Sequence, residues 1–313
     1  MEWQKIRFTS GDTECAAWHY PGTNGGCVVM TGGFAVTKEP GTDLFARRFN
    51  DAGFGVLAFD YRRLGESGGQ PRQVQRFSEQ IEDWQAAIGC ARTLPGVDPA
   101  RLAIWSFSAS GGHVFRIAAR HPELAAAIAQ TPYADGLAAT RNAARYQTAP
   151  ALLRFTGRGL ADAMGALAGR PPRLVPLTGE PGTVALLTTP DAQDGGRALN
   201  PDGRYPEWRQ EIAARSALRL GIYRPGRYAP GVRCPLLVLV RDQDQSVLAG
   251  PAVRAAHRAP RGELVRIPGG HYAPFLEGHE LAAEAELSFL RRHLLGHPAD
   301  RPAAVADPAG RRA

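Results

Sequence analysis

The stretch IWSFSASGGHV, residues 104–114, decides the fold. An apolar run from Leu102 to Trp105 reads as a strand, and Ser106, Ser108 and Ser110 follow at alternate positions before Gly111-Gly112. A serine on a tight strand-to-helix turn is held up into a cleft. That turn brings backbones so close that the residues two before and two after must be small. Around Ser108 these are Ser106 and Ser110, whereas around Ser106 one of them is Ile104, which is too bulky. Ser110 has small flanks as well, but a strand ending near Trp105 or Ser106 puts it inside the following helix. Ser108 is therefore the candidate nucleophile, and a polar turn without chemistry is the competing reading of this motif alone.

Outward from this stretch, strands and helices alternate. Residues 3–20 read as a hairpin around Ser10-Gly11-Asp12, and Cys27 to Met30 and Val56 to Phe59 as strands buried on both faces. Phe45, Phe49 and Ala52 mark a helix ended by Gly53. Pro71 is expected to open a helix whose stripe is Val74, Phe77, Ile81, Trp84 and Ile88. Further strands fall at Ala125 to Ala129, Leu236 to Val240 and Leu264 to Ile267. A helix lies near 250–258, and a last one carries Ala283, Leu287, Leu290 and Leu294 on one face. This alternation predicts an α/β fold: a mostly parallel central sheet with helices on both faces. From 136 to 230 the alternation stops. A structureless loop of that length is implausible in a compact domain, so an inserted helical cap is expected there. The core is then 1–135 with 231–296, and the Pro/Ala/Arg-rich tail, 297–313, is expected to be disordered.

A serine hydroxyl needs a base to take its proton. His271 in IPGGHYAPF directly follows the Leu264 to Ile267 strand, on the sheet edge that carries Ser108. His121, His257, His279 and His293 fall on or beside helices, His297 in the tail and His19 in the hairpin. His113, one turn past Ser108, is expected to face the sheet or lie behind the site. The base needs an acid to fix its tautomer. RDQDQSV after the Leu236 to Val240 strand offers Asp242 and Asp244. Asp244, deeper in the loop, is preferred, and Asp135 is a third candidate. An oxyanion needs two backbone N–H donors. Ala109, next to the candidate nucleophile, and Phe34 in MTGGFAV are the expected pair.

The pieces VVMTGGF, FDYRRLGESGGQPRQ, WSFSASGGHV, RDQD and GGHY together resemble the α/β-hydrolase superfamily over nearly all of residues 3–295. Within it the chain is similar to bacterial serine hydrolases described as dienelactone-hydrolase-like or X-Pro-peptidase-like. The resemblance implies an α/β-hydrolase fold and a Ser108–Asp244–His271 triad in that chain order. Two departures stand out: Gly32-Gly33 where family members often carry His-Gly, and Ser-x-Ser-x-Ser where they carry Gly-x-Ser-x-Gly or Gly-x-Ser-x-Ser.

The expected activity is hydrolysis of a small-molecule carboxylic ester, lactone or thioester through an acyl-enzyme on Ser108, with no cofactor or metal. A peptidase or amidase on the same residues is the alternative, as is a non-catalytic binding protein on a hydrolase scaffold. Serine at the elbow argues against epoxide hydrolases and haloalkane dehalogenases, which use aspartate there. Apolar residues in the first half of the cap, among them Phe155 and Met164, are expected to line an acyl pocket. The net charge of +7 is carried almost wholly by arginine, since Lys5 and Lys38 are the only lysines. It is spread without a basic block, so no nucleic-acid face is expected. No stretch approaches a membrane span and the N-terminus lacks an apolar signal core, so no membrane partner is expected. Cys15, Cys27, Cys90 and Cys234 fit no metal spacing and read as free thiols of a cytoplasmic protein, with a Cys15–Cys27 disulfide on adjacent strands as the competing reading. The oligomeric state is not legible.

Overall fold

Strand β1 (Gln4–Ser10) turns at Gly11 into β2 (Thr13–Tyr20) in the computed structural model, which describes residues 3–297. The tail expected to be disordered lies outside the described residues apart from His297. Next come β3 (Cys27–Thr31), α1 (Lys38–Asp51), β4 (Gly55–Phe59), α2 (Phe77–Ala91), β5 (Leu102–Phe107), α3 (Ser108–Ala118) and β6 (Ala126–Gln130). A long excursion follows with α4 (Gly136–Ala143), α5 (Ala149–Leu167), β7 (Leu174–Pro176), α6 (Asp194–Leu199), β8 (Glu211–Ala213) and α7 (Ala214–Leu218). The chain then returns as β9 (Leu236–Arg241), α8 (Ala249–Arg258), β10 (Gly262–Ile267) and α9 (His279–Leu294).

Eight strands form one sheet in the order β1-β2-β4-β3-β5-β6-β9-β10. All pairings from β4 to β10 are parallel, and β2 pairs antiparallel with both β1 and β4. Every residue of β3, β4, β5, β6 and β9 is buried, as continuous apolar runs between two helical layers require. One apolar layer packs α1 and α9 on the sheet, and the other packs α2, α3 and α8. From β3 the chain steps to β4 on one side and then crosses to β5 on the other. The crevice beyond the C-terminal ends of β3 and β5 is therefore where a ligand site is expected.

One expectation fails, and so does the competing disulfide reading, while the cysteines are free thiols as expected. The helix does not open at Pro71 but at Phe77, because residues 71–76 are held as a strap. Gln73 has φ +60, its N–H donates to Arg63 and its carbonyl accepts from Ala213, while the Gln75 side chain accepts from the Ala35 N–H. Cys15 and Cys27 are not on adjacent strands, since β4 lies between β2 and β3, and all four cysteines are free.

Glu286 on α9 is fully buried and accepts a hydrogen bond from Trp105 Nε1 at 3.0 Å. Burial pushes its carboxyl far above the ordinary range despite that bond, so the folded protein holds it protonated. The unfolded chain ionises it near its usual value, so its contribution to stability is present at low pH and is lost progressively as pH rises above that value. Glu286→Gln, which keeps the shape and cannot ionise, should raise Tm at pH 8 by on the order of 2–5 °C. The gain should vanish toward pH 4. Thermal melts at several pH values test this, and an equal Tm change at every pH would overturn it.

Candidate active site

Ser108 stands at the junction of β5 and α3 with φ +57, a left-handed backbone that an L-residue adopts at a cost of about 1–2 kcal/mol. The surroundings hold it there. Its carbonyl accepts from the Tyr133 N–H at 2.9 Å, and Ser106 Oγ donates to the Thr31 carbonyl at 2.8 Å. A Cβ at Gly112 would lie 2.4 Å from the Tyr133 carbonyl, and one at Gly111 3.1 Å from the carbonyls of Ser106 and Gln130. The demand for small residues thus reaches further along the helix than the flanking serines. Ser110 is buried inside α3, away from the crevice surface.

His271 follows β10 and Asp244 follows β9. His271 Nε2 lies 3.1 Å from Ser108 Oγ and His271 Nδ1 2.8 Å from Asp244 Oδ2. The other Asp244 oxygen accepts from the Val247 N–H at 2.6 Å. Burial opposes charge on His271, but Asp244 and, less strongly, Asp191 outweigh it and raise the imidazole above its usual range. Burial also pushes the Asp244 carboxyl up, against the pull of His271 and the Val247 N–H. The rival acids are engaged elsewhere. Asp242 pairs with Arg266 at 2.6 Å, and Asp135 caps α4 through the N–H groups of Leu137 and Ala138 and pairs with Arg224 at 2.9 Å. His113 is buried between Tyr223 Oη at 2.6 Å and Gln80 Oε1 at 3.0 Å; burial, helped by Arg116, pushes it down to about 3, so it stays neutral.

Ala109 lies in the first turn of α3, where an N–H has no carbonyl one turn back to bond. Phe34 sits in a turn closed by the Val36 N–H on the Gly33 carbonyl at 3.2 Å. A Cβ at Gly33 would come within 3.4 Å of the Ser108 Cβ, so this loop abuts the elbow. A Cβ at Gly32 would lie 2.4 Å from the Val36 carbonyl. The histidine often found there in the family would not fit this loop. Behind the loop, fully buried Lys38 donates to Asp60 at 3.0 Å and Glu66 at 2.9 Å, tying the segment after β3 to the one after β4.

Above Ser108 is a cavity of about 60 Å³ lined by Phe34, Phe107, Leu177, Leu199, Trp208 and Tyr272, among others, with no acidic side chain in its wall. A second cavity of about 230 Å³ adjoins it across Tyr133, Leu186, Leu187 and Leu220. Phe155 lines this second cavity, whereas Met164 is 68% exposed and lines neither. Leu153, Leu160 and Leu167 are exposed with it. The apolar face of α5 points outward because its buried positions, Ala151, Gly159 and Asp162, are small or polar and let α7 approach closely. A Cβ at Gly159 would meet Leu218 at 2.6 Å, and Asp162 pairs with Arg215 at 3.2 Å.

One residue at the site escaped the sequence reading. Asp191, in the excursion between β6 and β9, accepts from the N–H groups of Gln245 at 2.7 Å, Ser246 at 3.2 Å and His271 at 3.2 Å, and from Ser246 Oγ at 2.8 Å. Among the described residues no group of three or more His, Cys, Asp or Glu side chains could hold a metal ion, and no helix is long and apolar enough to cross a membrane.

A family profile described as serine aminopeptidase, S33, matches residues 23–172. The quorum-quenching protein AidA of Acinetobacter baumannii is 36% identical over 292 residues, covering 92% of this chain and 94% of that protein. A thiohydrolase of Arthrinium phaeospermum, apmlB, is 26% identical over 266 residues, covering 79% and 84%. The crystal structure of the α/β-hydrolase GrgF from Penicillium sp. superposes with a TM-score of 0.77 at 21% identity, covering 94% of this chain and all of that one. The chain belongs to the α/β-hydrolase superfamily.

The strain at Ser108 is measurable. Ser108→Gly removes the Cβ that makes φ +57 costly, while Ser108→Ala keeps it. In denaturant titrations the glycine variant should be more stable than the alanine variant by about 1 kcal/mol. Equal stabilities, or a more stable alanine variant, would mean that the turn is unstrained.

Proposed function

We propose that the protein hydrolyses carboxylic esters, lactones or thioesters through an acyl-enzyme on Ser108. The observation that carries this reading is the continuous hydrogen-bonded chain Ser108–His271–Asp244, opening into an apolar cavity. His271 takes the Ser108 proton as the oxygen attacks the acyl carbon, and Asp244 holds the imidazole with Nε2 free to accept it. The N–H groups of Phe34 and Ala109 receive the charge that develops on the carbonyl oxygen. His271 then returns the proton to the departing alcohol or thiol. A water, deprotonated by the same imidazole, releases the acid.

The relative named a thiohydrolase supports hydrolysis of an acyl–sulfur bond as chemistry within reach of this fold. The family description raises aminopeptidase action as the second reading. That activity calls for acidic groups to hold a substrate amine, and the wall of the cavity above Ser108 supplies none. A non-catalytic role would leave Ser108 unreactive.

Fluorophosphonate labelling should mark the wild type and fail on Ser108→Ala, whose turnover should fall on the order of 10⁶-fold. Asp244→Asn should cost roughly 10⁴-fold and Asp242→Asn very little. An unlabelled wild type would support the non-catalytic reading, and a crippled Asp242→Asn would move the acid.

The cavity wall predicts chain-length preference. Each buried methylene is worth about 0.8 kcal/mol, so kcat/KM for p-nitrophenyl esters should rise from acetate to hexanoate. Phe155→Ala should change the longer-chain end of that profile, and Met164→Ala, on the exposed face of α5, should leave it unchanged. Acetate as the best substrate would sink the apolar acyl site.

A further inference from the structure

We propose that Asp191 is a positioning residue for the reaction: a carboxylate carried by the excursion between β6 and β9 that fixes the acid loop and the histidine loop together and places a second negative charge beside His271. This inference rests on the acyl-enzyme reading above and assigns a residue to it.

Its geometry is specific. One carboxylate oxygen accepts three backbone N–H groups, two from the acid loop at Gln245 and Ser246 and one from His271 itself. The other oxygen accepts Ser246 Oγ at 2.8 Å. Ser246 Oγ also lies 2.6 Å from Thr189 Oγ1, two residues before Asp191, so the same short segment grips the acid loop twice. The His271 motif makes room for it. A Cβ at Gly270 would lie 3.1 Å from the Asp191 Cβ, so the glycine before His271 lets the carboxylate reach the backbone. The segment continues into α6, whose Gly195 packs on the Tyr272 ring and whose Gly195, Gly196 and Leu199 roof the cavity over Ser108. Asp191 thereby sets the roof relative to the reacting groups.

The charge follows from the same contacts. Burial works against an ionised Asp191, but His271 and the surrounding donors outweigh it and hold the carboxyl below its usual range. The groups facing His271 are Asp244 at Nδ1, Ser108 at Nε2, Asp191 at its backbone, and the Tyr272 ring beside it, with the buried Arg241 guanidinium against Gly269 at the base of the loop. Two carboxylates around one imidazole stabilise its protonated form in the transition state. They also raise the pH below which the resting imidazole is protonated and unable to act as base.

Asp191→Asn and Asp191→Ala separate the two roles. The asparagine carbonyl can keep the three N–H bonds, and its amide can donate to Ser246 Oγ, so the variant removes charge while keeping geometry. The acidic limb of its kcat/KM profile should move to lower pH relative to wild type, because one of the two carboxylates that favour the protonated imidazole is gone. Its plateau should stay within a few-fold. Asp191→Ala removes the tie as well and should lose on the order of 10- to 100-fold in kcat, with unchanged far-UV circular dichroism and the same downward movement of the limb. Rates of fluorophosphonate labelling across pH provide a second readout that needs no substrate. If wild type labels but Asp191→Asn keeps the wild-type pH midpoint, the charge role is overturned. If Asp191→Ala also keeps its rate, the whole inference is overturned. If wild type does not label, the acyl-enzyme reading fails first.

Discussion

A left-handed backbone at a single non-glycine residue constrains this whole edge of the sheet. At Ser108 the chain leaves β5 and enters α3 without a connecting loop, and it makes that junction with φ +57. The conformation persists because neighbours over-determine it: the Tyr133 N–H on its carbonyl, Ser106 Oγ on the Thr31 carbonyl, and bare glycines at 33, 111 and 112 where any Cβ would crowd backbone or ring. Those glycines are part of the strain's containment. The parallel strands on either side make the arrangement rigid, since β5 is hydrogen-bonded to β3 and β6 along its length.

The loop facing Ser108 is held from behind by charge. Lys38 is buried without exposure, and an ammonium in that position requires partners. Asp60, Glu39 and Glu66 supply them, and Asp60 also accepts the Lys38 backbone N–H at 2.7 Å. Burial lifts the Asp60 carboxyl to about 6 even beside that ammonium. The turn carrying Gly33 and Phe34 is therefore anchored at its far end, while Trp208 Nε1 donates to the Ala35 carbonyl from the opposite side. Of these partners Asp60 alone is fully buried, so removing Lys38 would strip that carboxylate of its ion partner in the interior.

The sheet and the hydrogen-bonded trio were legible because they follow from local rules. Continuous apolar runs mark strands buried on both faces, and a polar loop after each run falls on one edge of a parallel sheet. Ser108, Asp244 and His271 could thus be singled out from three loops far apart in sequence. What was illegible depends on contacts that no periodicity encodes. Asp191 sits in TTPDAQDGG and looks like any turn aspartate; its place is set by the fold of the excursion. Pro71 resembles a helix start until the bonds of Gln73 and Gln75 to distant loops are seen. Met164 reads as pocket lining because an apolar residue on a helix ordinarily faces inward, yet small residues on the other face of α5 turn it outward.

Asp191 also bears on how such a protein can change over generations. An insertion that merely roofs a cavity could be exchanged between relatives as a unit, with the core left to run the chemistry. Here the roof carries a carboxylate that accepts from N–H groups on the loop after β9 and on His271, and Gly270 leaves room for it. Exchanging the roof would strip polar contacts from the core that receives the new one. A new substrate preference is therefore reached more readily by residue-by-residue replacement on the inner walls at Leu186, Leu187 and Leu220 than by recombination at the ends of the excursion.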